Sequence, residues 1–165
     1  MTNKTIYLDM DGVVADFNKF SSDVLNEPYD VNITKFSDDK WAILKQHPRL
    51  YRDLPIKEGS YQLVYWCTQY CAKNDAELLF LTAVPRNNDM PWSFYDKVRW
   101  AEKHFPNIPV MFGPRSQDKH NHCKPGDVLI DDRILNVNDW RNAGGIAHQY
   151  TVWDNCKPWL EENLG

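Results

Sequence analysis

The chain has 165 residues. That length favours one domain, or one domain carrying an insertion, and lets about 68–70% of the unfolded surface be buried without a disulfide or metal staple. Apolar residues make up 42% and charged residues 25%, which excludes a disordered or fibrous chain. The longest unbroken apolar run, Leu63 to Cys67, is five residues, against the roughly 20 that a membrane-spanning helix needs. Nineteen basic and 23 acidic residues leave a charge of −4, which argues against a nonspecific nucleic-acid or polybasic membrane binder but not against a small anion held by a few placed cations. The opening residues, Met1 to Tyr7, lack the apolar stretch of a secretory signal. Cys67, Cys71, Cys123 and Cys156 form no dense pattern, so free thiols in a reducing, cytoplasmic compartment are expected. Aromatic residues reach 13%, more than a small core requires, so some are expected to line a ligand site.

In chain order, Thr5 to Leu8 is β-prone and runs into Asp9-Met-Asp-Gly12, a strand ending in an acidic loop. Val13 to about Leu25 reads as a helix with Val14, Phe17, Phe20, Val24 and Leu25 on one stripe, closed by Pro28. From about Asn26 to Leu54 the chain, bounded by Pro55, holds Pro28, Pro48, several Asp and one helix, Asp38 to about His47, whose apolar side is Trp41, Ile43 and Leu44. This stretch has no strand pattern and reads as an insertion. Gly59 to about Lys73 is a predicted helix with stripe Leu63, Trp66, Cys67 and Tyr70. Glu77 to Thr82 is a predicted buried strand, Trp92 to His104 a helix, Ile108 to Phe112 a short strand, and Asp127 to Asp132 a strand with an acidic tip. Ile134 to Ala143 is a short helix stopped by Gly144-Gly145, and Ile146 to Tyr150 a last strand. Alternating apolar strands and helices predict an α/β, Rossmann-like parallel sheet with helices on both faces. The core is expected over 1–14 and 76–165, with a small, mainly helical cap over 15–75 inserted after the first strand.

In such sheets ligands sit beyond the carboxyl ends of the strands. The polar residues there are Asp9, Asp11, Thr82, Asp131 and Asp132. Four carboxylates from two strand tips would raise one another's pKa values unless a cation held them ionised. Oxygen-only ligands suit Mg²⁺, and with it a phosphorylated ligand. One carboxylate can attack phosphorus and form an acyl phosphate. A second, two residues on, can protonate the leaving oxygen and then take a proton from water. Gly12 permits the turn between them. Thr82 offers a hydroxyl to phosphoryl oxygens, and a lysine is needed for the transition-state charge. Lys119 and Lys124 both precede the last acidic strand.

The run Asp9-Met-Asp-Gly-Val-Val-Ala-Asp16, then Leu-Phe-Leu-Thr82, then a lysine, then Leu-Ile-Asp131-Asp132 resembles the ordered motifs of haloacid dehalogenase-like (HAD) phosphohydrolases. Asp16-Phe17, Asp118-Lys119 and Leu-Ile-Asp-Asp-Arg133 are similar in phrasing to the 5′(3′)-deoxyribonucleotidase branch. The resemblance covers most of the chain and is weak over about 26–58, where the superfamily carries its substrate-selecting cap. It implies that Asp9 is the nucleophile and Asp11 the acid/base, that Thr82 and Lys119 hold the phosphate, and that Asp9, the carbonyl of Asp11 and the Asp131–Asp132 pair hold Mg²⁺. Asp132 is favoured as the direct ligand. Phe17, Trp41 and Tyr51 are candidates to meet a base or sugar. The implied function is an Mg²⁺-dependent phosphomonoesterase for (deoxy)nucleoside monophosphates, acting through an aspartyl-phosphate.

Other readings stand beside this one. Another small phosphomonoester, a sugar phosphate or a polynucleotide 3′-phosphate, is the alternative substrate. A phospho-accepting receiver domain also gathers acids, a Thr and a Lys around Mg²⁺, but there the acids precede the Lys, whereas here two follow it. The expected partner is a small phosphomonoester, with a homodimer left open and neither a membrane nor a nucleic-acid polymer expected. Cys67 and Cys71 at helical spacing read as core, and His120-Asn-His122-Cys123 as a solvated loop rather than a metal site. Trp92, Trp100, Trp140, Trp153 and Trp159 read most simply as core.

Overall fold

Thr5–Leu8 forms the first strand, β1, and every one of its residues is buried. A strand with both faces covered belongs in the middle of a parallel sheet. In the computed structural model, which describes residues 3–85 and 90–165, β1 is central. The other strands are β2 (Glu77–Thr82), β3 (Val110–Phe112), β4 (Val128–Asp131) and β5 (Ile146–Gln149). The sheet order is β3-β2-β1-β4-β5, and all four pairings are parallel. Leu8 pairs with Phe80 on one side and Ile130 on the other, so β1, β2 and β4 end close together.

Helices follow as α1 (Phe17–Leu25), α2 (Asp38–Leu44), α3 (Ser60–Asn74), α4 (Ser93–His104), α5 (Ile134–Asn142) and α6 (Trp153–Leu164). Successive strand residues point to opposite faces. Ile6, Leu8, Phe80, Val128 and Ile130 therefore share one core with Leu63 and Cys67 of α3, Trp100 of α4, and Cys156 and Leu160 of α6. Tyr7, Leu81, Leu129 and Ala147 share the other with Val137 and Trp140 of α5. The α/β expectation is met, with helices on both faces.

Several expectations need correction. The helix expected from Val13 begins only at Phe17. Before it, the Met10 carbonyl accepts hydrogen bonds from the N–H groups of Val13, Val14 and Ala15, and the chain turns at Gly12, where φ is +85°. Asp16 then caps α1 by accepting from the Lys19 N–H at 3.0 Å. Val24 of the expected stripe and Ile43 of α2 are exposed, and so is Trp92, at 55%. Trp92 precedes α4 and lies against the Arg49 guanidinium rather than in the core. The segment with His120 and His122 is a 3-10 helix, Ser116–His122, packed against α5. The last helix, α6, has no counterpart in the sequence reading. The helix Ser60–Asn74, expected inside the cap, packs on β2 and α6.

The insertion is tied to the core by a short neck. The Asp16 N–H donates to the Pro55 carbonyl and the Lys57 N–H to the Val14 carbonyl, both at 2.8 Å, and Ala15 bridges antiparallel to Ile56.

Candidate active site

Asp9 follows β1 directly, and its N–H donates to the Ile130 carbonyl of β4. Its Oδ1 accepts from the Met10 N–H at 2.9 Å and from Lys119 Nζ at 2.8 Å. Lys119, delivered by the 3-10 helix and 2% exposed, also donates to Asp131 Oδ2 at 2.8 Å. Burial, with Asp131 and Asp11 nearby, pushes the Asp9 carboxyl up to about 6 even though Lys119 opposes the shift. Burial works against the Lys119 ammonium, but Asp131 and Asp9 outweigh it and hold its pKa above the ordinary range.

Asp131 and Asp132 differ sharply. Asp131 is fully buried, and its oxygens accept from Lys119, the Arg133 N–H at 2.9 Å and Asn136 Nδ2 at 3.1 Å. Asp132 is partly exposed and lines the cleft beside Asp9. Desolvation, then the Asp9 and Asp131 charges, push its carboxyl well above the usual carboxylate range. One oxygen from each of Asp9, Asp131 and Asp132 lies within 4.8 Å of the others. Among the described residues this is the group of acidic, His or Cys side chains close enough to share a metal ion. A Cβ at Gly12 would strike the Asp132 carboxylate, so this close approach, as well as the positive φ, requires glycine.

Asp11 and Thr82 meet through a residue that the sequence reading missed. Lys97 of α4, 3% exposed at its side chain, donates from Nζ to Asp11 Oδ2 at 2.8 Å, Thr82 Oγ1 at 2.7 Å and the Ala83 carbonyl at 2.6 Å. Its signal was weak but present: Lys97 shares the helical face of Ser93, Trp100 and Ala101, all buried, so a lysine stands where the stripe calls for an apolar residue. Lys124, the other lysine weighed, lies outside the cleft lining; its backbone N–H donates to Asp127 Oδ2 at 3.1 Å.

Over these groups lies a cleft of about 600 Å³. Asp9, Asp11, Asp132, Lys97 and Lys119 line its floor, and Phe17, Trp41 and Tyr51 line it from the insertion. The three expected aromatics are brought together: Phe17 lies 5.6 Å from Trp41 and 6.2 Å from Tyr51, centroid to centroid. Phe36, not foreseen, joins them at 5.4 Å from Phe17. Tyr51 also faces inward, with Lys97 Nζ 4.6 Å from its ring centre. Arg115 and Arg133 also line the cleft.

The model of the family described as 5′ nucleotidase, deoxy (pyrimidine), cytosolic type C protein matches residues 3–155. The chain belongs to this family. It is accordingly a hydrolase of phosphoric monoesters, a nucleotidase-like HAD phosphatase whose substrate is a small phosphomonoester. A hydrolase from Streptococcus pneumoniae TIGR4 is structurally similar, with a TM-score of 0.52 and 14% identity over 98% of this chain and 100% of that one. The HAD domain of the effector protein Lem4 from Legionella pneumophila gives 0.48 and 14% over 98% and 95%. At such identity the first of these shows the fold alone. No curated protein matches the chain. No helix among the described residues is long and apolar enough to cross a membrane.

Proposed function

We propose that the protein is a 5′(3′)-deoxyribonucleotidase that dephosphorylates (deoxy)nucleoside monophosphates through an aspartyl-phosphate on Asp9, with Mg²⁺ as cofactor. The observation that carries this reading is the pair of unlike carboxylates after β1. Asp9 is buried and held by Lys119; Asp11 is partly exposed and faces Lys97 and the cleft. An oxygen of Asp9 attacks phosphorus, and the bond from phosphorus to the nucleoside oxygen breaks. Asp11 delivers the proton that the leaving oxygen requires. Water then attacks the acyl phosphate, Asp11 takes the proton back, and phosphate leaves with the Asp9 carboxylate restored. Thr82 and Lys119 hold the phosphoryl oxygens, and Lys97, between Thr82 and Asp11, adds a second cation to the same place.

The donor set fits Mg²⁺, being entirely carboxylate and carbonyl oxygen with no sulfur or imidazole. Asp9, the Asp11 carbonyl and Asp132 would hold it, with Asp131 behind them, its oxygens already engaged by Lys119, Arg133 and Asn136. Bound there, it would offset charge on the transferring phosphoryl group.

We draw the cap more narrowly than 15–75, as the insertion over 17–54, because α3 packs on the sheet. The aromatic cluster of Phe17, Phe36, Trp41 and Tyr51 supports a flat, planar substrate part such as a nucleobase. The cytoplasm is the proposed compartment, in keeping with the cytosolic type of the family and the free cysteines. The test is phosphate release from a panel of 5′- and 3′-(deoxy)nucleoside monophosphates and sugar phosphates, with Mg²⁺ and with EDTA. Deoxynucleotides should exceed sugar phosphates by about tenfold or more in kcat/KM, about 1.4 kcal/mol, and EDTA should stop turnover. Sugar phosphates turned over equally well would overturn the nucleotidase reading, and full activity in EDTA the metal assignment.

A further inference from the structure

Lys57 is a buried cation, 4% exposed, that the reaction above does not use. Its Nζ donates to the Gly12 carbonyl at 2.9 Å and the Thr151 carbonyl at 2.6 Å, and lies 5.1 Å from the Tyr150 ring centre. Asp16 and Asp132 act on it only as surrounding charge. An ammonium taken out of water without a close carboxylate is unfavourable, so its place calls for a reason in what its donors hold.

Both acceptors adjoin the site. Gly12 follows Asp11, and its Cα is the surface against which the Asp132 carboxylate lies. Thr151 follows Tyr150, whose N–H donates to the Asp131 carbonyl at 2.8 Å. The turn bonds of the loop run through the Met10 carbonyl and the Gly12 N–H, whereas the Gly12 carbonyl points the other way, to Lys57. The backbone of Lys57 belongs to the neck, bonded to the Val14 carbonyl. One side chain thus joins the loop carrying Asp11, the connection beyond β5, and the point where the chain returns from the insertion.

We infer that Lys57 is a positioning residue for the phosphoryl transfer: its bonds to the Gly12 and Thr151 carbonyls fix the Gly12–Val13 peptide, immediately after Asp11, and so set Asp11 and Asp132 against the reacting phosphate. This rests on the phosphohydrolase reading. Small displacements of catalytic groups are expensive, since about 1 Å can lower a rate by about 10²-fold. A loop held by one buried donor is where such a displacement would start.

The test compares Lys57→Met, which keeps the length and loses the donors, with Lys57→Arg, which keeps charge and donors. Each is assayed for kcat and KM on p-nitrophenyl phosphate and on a deoxynucleoside monophosphate, with melting temperatures and hydrogen exchange over residues 10–16. Lys57→Met should lose about tenfold or more in kcat, equally on both substrates, with KM within about twofold, because the defect lies in the transition state and not in binding. Lys57→Arg should keep about a third of kcat or more. If Lys57→Met does not fold, Lys57→Gln takes its place, with a loss of about threefold or more expected. A folded Lys57→Met or Lys57→Gln with wild-type kcat overturns the inference. So does a loss confined to the nucleotide, which would assign Lys57 to the cap. Absence of turnover by the wild type on any phosphomonoester would instead remove the phosphohydrolase reading. Exchange over 10–16 would then still judge the holding of the loop, and unchanged exchange in the variant would overturn it.

Discussion

Asp9 carries two opposed demands, since a nucleophile must be ionised while burial disfavours its charge. Its carboxyl is pushed up to about 6 by burial and Asp131, whereas an unfolded aspartate titrates at about 3.9. A folded value above the unfolded one means that the native state binds the proton more tightly. The stability this contributes is present below about pH 3.9 and is lost as pH rises through about 6. Asp9→Asn removes that dependence together with the nucleophile. In EDTA, the melting temperature of Asp9→Asn relative to wild type should therefore increase between pH 4 and pH 7; with Mg²⁺ present, kcat should fall by about 10³-fold or more with the fold intact. A difference that shrank over that range would contradict the raised Asp9 carboxyl, and a purified variant with near-normal turnover would contradict the nucleophile assignment. Asp9, Asp11, Thr82, Asp131 and Asp132 could be singled out in the sequence because each stands at or just past a strand tip with a chemistry that apolar strands do not need, whereas Lys119, on the 3-10 helix, was singled out only by the family resemblance of Asp118-Lys119. Lys97 was not, because its role depends on which face of α4 meets β2, and a lone charge in a helix pattern reads as solvated.

Element lengths were readable to within a few residues wherever a periodic apolar pattern ran into a polar or glycine boundary, as in β2, α3 and α5. The exceptions have local causes. The Met10–Ala15 turn is apolar in composition, so only its hydrogen bonds separate it from α1. α6 contains Pro158, which the sequence pattern reads as a breaker although helix continues on both sides of it. The insertion is the least periodic segment, yet α1, α2 and the loop after α2 assemble Phe17, Trp41 and Tyr51 into one cluster. These three are not equivalent. Phe17 is 7% exposed and touches the other aromatics, so its removal empties a packed site. Tyr51 lies against Lys97, so its removal disturbs the phosphate end. Trp41 is partly exposed and lines the cleft from α2 of the insertion. Trp41→Ala should lower kcat/KM for a deoxynucleoside monophosphate by about tenfold, the order of one lost base–aromatic stack. The same variant should hydrolyse p-nitrophenyl phosphate nearly as well as wild type. An unchanged ratio between the two substrates would remove Trp41 from substrate reading.

Strand order is a property of the whole molecule, and no local pattern specifies it. Placing β1 between β2 and β4 brings Asp9, Thr82 and Asp131 to one edge, where the order reverses and a crevice opens. The insertion must then be held over that crevice, and two attachments do so besides the neck. Trp100 Nε1 of α4 donates to the Leu54 carbonyl at 2.8 Å. Arg49, from the insertion, pairs with Asp96 of α4, its Nε reaching Asp96 Oδ2 at 2.9 Å. Asp96 is 2% exposed while the Arg49 side chain is 25% exposed, so the carboxylate depends on the pair far more than the guanidinium does. Truncating the partner of a buried charge costs about 3–5 kcal/mol, and the exposure of Arg49 puts the expected loss at the lower end of that range. Arg49→Met should therefore lower the melting temperature by several degrees. Asp96→Asn in the same chain should recover part of the loss, because it removes the charge left without a partner. A double-mutant cycle on the two positions separates this coupling from the packing of Arg49 over the Trp92 ring, 4.9 Å away. Additive effects with no recovery in the double variant would show that the insertion is held over the strand tips by its aromatic packing and neck instead of by this ion pair.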